Sequence, residues 1–69
     1  MASSFGENLK KNRLERGLTQ EQLAYQAGLT ISLVQRLEHG RSLPHMNSLM
    51  RLAKVLNVSL DDLCREVIV

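Results

Sequence analysis

The chain has 69 residues, a 43% apolar fraction, a single cysteine and a formal charge of +2. One domain spanning 1–69 is all that this length supports, and a domain of this size buries only roughly 60% of the surface its unfolded form exposes, so it needs a tight core, a staple or a partner. Cys64 alone excludes an internal disulfide, no Cys/His cluster has zinc spacing, and no apolar run approaches the ~18 residues of a membrane span.

In chain order, helix signals recur and no strand pattern is found. Ser4 with Glu7 forms an S-x-x-E capping box, opening a polar, basic helix that runs to about Arg16 and stops at Gly17. Lys10, Lys11 and Arg16 are expected on its solvated face. Thr19 with Gln22 is a second box, and Leu23, Ala24 and Ala27 line the inner side of the helix it opens. A large residue at Ala24 would keep the next helix away. Gly28 reverses the chain, where a side chain in the left-handed conformation would cost roughly 1–2 kcal/mol. Leu29 plugs the corner, and Thr30 caps a third helix over about 30–39.

The only long connection, Gly40 to Met46, contains Pro44. Leu49, Leu52, Ala53 and Leu56 then fall at i, i+3, i+4 and i+7, which predicts a fourth helix. Asn57 tolerates the left-handed conformation that ends it, and Ser59 with Asp62 opens a fifth, whose stripe is Leu60, Leu63, Cys64 and Val67. The expectation is an all-α, compact five-helix domain, with Cys64 a buried, inert thiol and Tyr25 half-buried packing.

The segment 19–39 specifies a helix, a short glycine turn and a second helix at a steep angle. At about 100° per residue, with Val34 and Leu37 turned inward, Ser32, Gln35, Arg36 and His39 face outward, and Ile31, Leu33 and Glu38 lie on the flanks. An outward row of hydroxyl, amide and guanidinium groups suits the major groove of B-DNA, about 12 Å wide, whose base edges present paired acceptors and donors. Charge permits such a partner: nine Lys and Arg stand against seven Asp and Glu. Phe5 and Tyr25, the only aromatics, are too few for the stacking platforms of single-strand and RNA binders. The expected nucleic-acid partner is therefore a duplex.

These residues, from "FGENLKKNRLERGLTQEQLA" through "GLTISLVQRLEHG" to "LMRLAKVLNVSLDDL", resemble Cro/repressor-type helix-turn-helix domains of the XRE family. Leu23, Ala24, Ala27, Gly28, Leu29, Val34 and Leu37 match the motif's spacing, while Asn12 stands where many relatives carry Leu or Ile. The resemblance implies a lambda-repressor-like fold with the third helix in the major groove, and a twofold dimer on a pseudo-palindromic operator. It also implies an ion pair between Arg13 and Glu38 of "LEHG".

Ile31, Ser32, Gln35 and Arg36 are the expected base readers, and for Ile31 and Leu33 contact with a thymine methyl stands beside partial burial as the alternative. Thr19 and Gln20 at the start of the second helix, and His39, Arg41 and Ser42 after the third, are the expected phosphate contacts. The apolar end Val67, Ile68 and Val69 is the candidate dimer interface. No Gly-rich phosphate loop, paired nucleophile and base, or carboxylate cluster is seen, so a non-enzyme without cofactor or metal is expected. With no signal-peptide pattern, the expected location is cytoplasmic. The sequence reads as a DNA-binding transcriptional regulator, a repressor or small control protein, with a toxin-masking antitoxin as the alternative.

Overall fold

The computed structural model describes residues 5–64. Five helices follow one another: α1 Phe5–Glu15, α2 Gln20–Ala27, α3 Ile31–Glu38, α4 Met46–Leu56 and α5 Leu60–Cys64. Among the described residues there is no strand. The predicted Ser4 cap and the apolar end Val67, Ile68 and Val69 lie outside the described residues.

Local chemistry explains where the helices begin. The Thr19 hydroxyl accepts from the Gln22 N–H at 3.0 Å while the Gln22 carboxamide oxygen accepts from the Thr19 N–H at 2.8 Å, so both halves of the capping box form. Thr30 caps α3 through the Leu33 N–H, and Ser59 caps α5 through the Asp62 N–H. The ends of α1 to α4 share one mechanism. Gly17, Gly28, Gly40 and Asn57 take positive φ, and the next residue's N–H reaches back to Arg13, Ala24, Arg36 and Ala53 respectively, closing carbonyls that the helices leave open. Gly40 joins the three stop residues legible beforehand.

The stops fold the helices around one aliphatic core. Leu9, Leu23, Val34, Leu37, Leu52 and Leu63 are fully buried, and Ala24, Ala27, Leu49, Ala53 and Leu56 complete the cluster. α1 packs against α3 and α5, α2 against α3 and α4, and α4 against α5. Small Ala24 and Ala27 allow α2 to approach its neighbours, as their positions predicted.

Three burial expectations are corrected, among them Leu60 of the predicted α5 stripe, which is 39% exposed. Tyr25 is 87% exposed, because it sits nearly opposite Leu23, Ala24 and Ala27 on α2 at about 100° per residue. Cys64 is exposed as well: in the short α5 only Leu63 is directed fully into the core. Leu9 and Phe5 give α1 its apolar contact with the core, and at Asn12 hydrogen bonds stand where an apolar side chain would extend that seam. The Asn12 amide donates to the Asn8 carbonyl at 2.8 Å, and the Asn8 amide donates to the Asp62 and Leu63 carbonyls at 2.7 and 2.6 Å. A side chain of α1 thus satisfies carbonyls at the end of α5, which has no left-handed stop of its own among the described residues.

Candidate nucleic-acid interface

α3 is held from behind and open in front. Val34 and Leu37 anchor it in the core, and Glu38 is buried with them although the helical wheel places it on a flank. Its carboxylate takes two bonds from Arg13 of α1, Nε to Oε2 at 2.6 Å and Nη2 to Oε1 at 3.1 Å. Arg13 also donates through Nη1 to the Leu18 carbonyl at 2.8 Å. With the two side chains 9% and 2% exposed, this is the bidentate, buried geometry in which an Arg–carboxylate pair is strongest. The expected pair is present, and it ties α1 to the last turn of α3 and to the turn before α2.

On the opposite side, Ser32, Gln35 and Arg36 are exposed, and Ile31 is 39% exposed. Leu33 is half-buried against the core, so the apolar flank divides: Ile31 is available for contact and Leu33 is structural. Arg36 lies in the last turn of α3, where the helix dipole favours a cation.

At the start of α2 the structure adds a contact that helical spacing does not reveal. The Gln20 carboxamide nitrogen donates to Glu38 Oε1 at 3.0 Å, so one buried carboxylate holds both Arg13 and Gln20. Gln20 is therefore oriented as well as located. Thr19 uses its side chain as a cap, and the first-turn N–H groups of Gln20 and Glu21 have no acceptor within the helix. Together they make an electropositive helix end suited to phosphate.

His39 closes α3 and is exposed, and it shares a groove with Gln20, Lys10, Lys11 and Leu14. The α1 lysines, expected as plain solvated face, thus lie beside two of the candidate phosphate contacts. For Lys10 the signal in sequence would have been its one-turn offset from Arg13, whereas Lys11, two residues from Arg13, has no such signal. Arg41 is exposed and Ser42 half-buried in the loop beyond Gly40. Among the described residues, no group of three or more His, Cys, Asp and Glu side chains could hold a metal ion, and no helix is long and apolar enough to cross a membrane.

Residues 9–63 match the helix-turn-helix family profile. The chain is 37% identical over 59 residues to the HTH-type transcriptional activator BcrR of Enterococcus faecalis, an alignment covering 86% of this chain and 29% of BcrR. It is 34% identical over 58 residues to the cryptic phage CTXphi transcriptional repressor RstR of Vibrio cholerae, covering 84% of this chain and 52% of RstR. The chain thus spans 29% of one curated relative and 52% of the other. Among solved structures, the restriction-modification controller protein C.AhdI from Aeromonas hydrophila is similar with a TM-score of 0.83 at 34% identity, over 86% of this chain and 89% of that one. SinR, a master regulator for biofilm formation solved in complex with DNA, gives a TM-score of 0.83 at 30% identity, over 86% and 95%.

Proposed function

The chain belongs to the helix-turn-helix family, and from that premise we propose that it is a transcriptional regulator that binds double-stranded DNA by sequence, with α3 in the major groove. The observation that carries this reading is the exposed row Ser32, Gln35 and Arg36 on a helix whose other side is anchored by Val34, Leu37 and the Arg13–Glu38 pair. Rigid support lets a short helix present a fixed set of donors and acceptors to base edges. Arg36 offers a two-pronged guanidinium to guanine O6 and N7, and Gln35 a carboxamide that fits adenine. Ile31 is placed for a thymine methyl. Thr19, Gln20, His39, Arg41 and Ser42 contact the phosphates on either side and set the register of α3.

Selection of bound duplexes from a random pool tests this directly. A recovered consensus whose binding weakens as salt rises is the expected result, and recovery of no consensus overturns the reading. On the selected site, Arg36→Ala is expected to relax preference at one base pair per half-site by ~1–3 kcal/mol, while Arg41→Ala weakens all sequences alike. An unaltered base preference in Arg36→Ala removes Arg36 from the readers.

The working species is proposed to be a twofold dimer on a pseudo-palindromic operator. Three base contacts at ~1–3 kcal/mol each give one domain a few kcal/mol of discrimination, whereas useful specificity over bulk DNA is ~4–10 kcal/mol. Two copies on half-sites about 34–36 Å apart roughly double the discrimination. Sedimentation of the chain with its duplex over a concentration series is expected to show two protomers per duplex. One protomer per duplex at saturation excludes the dimer.

A further inference from the structure

We propose that the groove between the end of α2 and the outer face of α4 docks an acidic, partly apolar segment of a partner protein. Tyr25, Gly28, Arg51, Lys54 and Val55 line it. It shares no residue with the proposed DNA-contacting set, so a partner held here leaves α3 free for the duplex.

Three observations carry the assignment. Tyr25 projects its ring out of the fold at 87% exposure, an amphipathic surface of the kind that protein interfaces use as an anchor. Among the described residues neither its hydroxyl nor the Lys54 ammonium has a hydrogen-bond or ion-pair partner. Arg51 is held at one prong, its Nη1 lying 3.5 Å from the Gly28 carbonyl, which leaves the other guanidinium donors available. The charged groups lining the groove are thus both cations, with no carboxylate among the lining residues to neutralise them.

That charge selects the occupant. A segment with spaced carboxylates meets Arg51 and Lys54 while its apolar side chains cover Tyr25 and the half-buried Val55. Exposed ion pairs are weak singly, so steering comes from charge and holding from the apolar contact. A second copy of this chain is disfavoured, because a twofold contact centred on the groove brings the same two cations face to face.

The test titrates a synthetic peptide of repeated Asp-Asp-Leu into the full chain, followed by amide chemical shifts, with and without saturating duplex. Shifts centred on Tyr25, Gly28 and Lys54 are expected, unchanged by duplex. Lys54→Glu and the double variant Arg51→Glu with Lys54→Glu should weaken the peptide by about tenfold or more while leaving duplex affinity within about twofold. The Lys54 side chain makes no observed hydrogen bond, but Lys54→Glu reverses a charge in the last turn of α4, so circular dichroism verifies its fold. No peptide binding, shifts centred on Ser32 to Arg36, or displacement of the peptide by duplex each overturn the proposal. So does a weakened duplex with a shallower salt slope, which assigns the two cations to the DNA backbone. Failure to bind any duplex overturns the DNA reading instead, and the peptide titration then stands alone.

Discussion

Arg13→Ala is expected to destabilise the domain by ~3–5 kcal/mol, the cost of leaving a buried carboxylate without its cation. The Arg13 and Glu38 side chains are 9% and 2% exposed, and the variant strips two donors from Glu38 and one from the Leu18 carbonyl. A domain of this size has a total stability of roughly 3–10 kcal/mol, so the alanine variant can lose its fold outright at ordinary temperature. Arg13→Lys keeps the charge without the fork and is expected to lose less, roughly 1–2 kcal/mol. Replacing both partners together by apolar residues of similar volume should cost less than Arg13→Ala, since no charge is left stranded. Urea unfolding of the three proteins decides the matter. A loss under 1 kcal/mol in Arg13→Ala would mean that the pair behaves as an exposed one.

The double apolar variant also separates stability from binding. It removes the acceptor that orients Gln20, so it is expected to fold and yet bind duplex more weakly, with little change in base preference. Such a result would make Glu38 a positioning residue for the proposed phosphate contact at the start of α2.

Gly6→Ala is the second large expected effect, and its sign is the informative part. In most exposed helix positions this change stabilises by up to ~1 kcal/mol. Here a Cβ would stand 2.3 Å from the Leu37 carbonyl oxygen and 2.6 Å from that of Glu38, both backbone atoms of α3. Neither can rotate aside, so α1 must move away from α3. The displacement would disturb the nearby Leu9 packing and the Arg13–Glu38 fork, which depend on the same helix spacing. Overpacking of this kind costs ~1–3 kcal/mol and sometimes more, and about 3 kcal/mol is expected. Thermal unfolding should show a fall in midpoint of roughly 12–24 °C, at about 4–8 °C per kcal/mol for a small domain. An unchanged or raised midpoint would mean that the two helices are not in close contact at Gly6.

The elements legible beforehand are those governed by short-range rules. The Thr19–Gln22 box, the Thr30 cap, the left-handed stops at Gly17, Gly28 and Asn57, and the inward set Leu23, Ala24, Ala27, Val34 and Leu37 depend on neighbours within about a turn. The outward row of α3 follows from the same periodicity, because burying Val34 and Leu37 turns Ser32, Gln35 and Arg36 the other way. The Arg13–Glu38 pair spans 25 residues, and a motif resemblance, not periodicity, made it visible.

Tertiary structure decided the rest. Periodicity says which residues share a face of one helix, but not which second helix covers that face or how closely. Tyr25 and Cys64 were assigned to packing and are exposed, since among the described residues no helix covers them. Gly6 carries no local pattern, and its role exists only because α3 carbonyls approach it from more than thirty residues away. Asn12 looks like a gap in an apolar seam until its bond to Asn8 is seen, and Asn8 finds its own acceptors only when α5 brings its end carbonyls within reach. Gln20 is fixed by a carboxylate 18 residues later, so its orientation could not be known before α1, α2 and α3 were assembled around Glu38. The sequence by itself determined where the helices begin and end and which side of each is apolar, because caps, stops and stripes are local free energies. Only the folded chain decided which polar groups meet across helices, because a hydrogen bond or a steric contact depends on distances that no single helix sets.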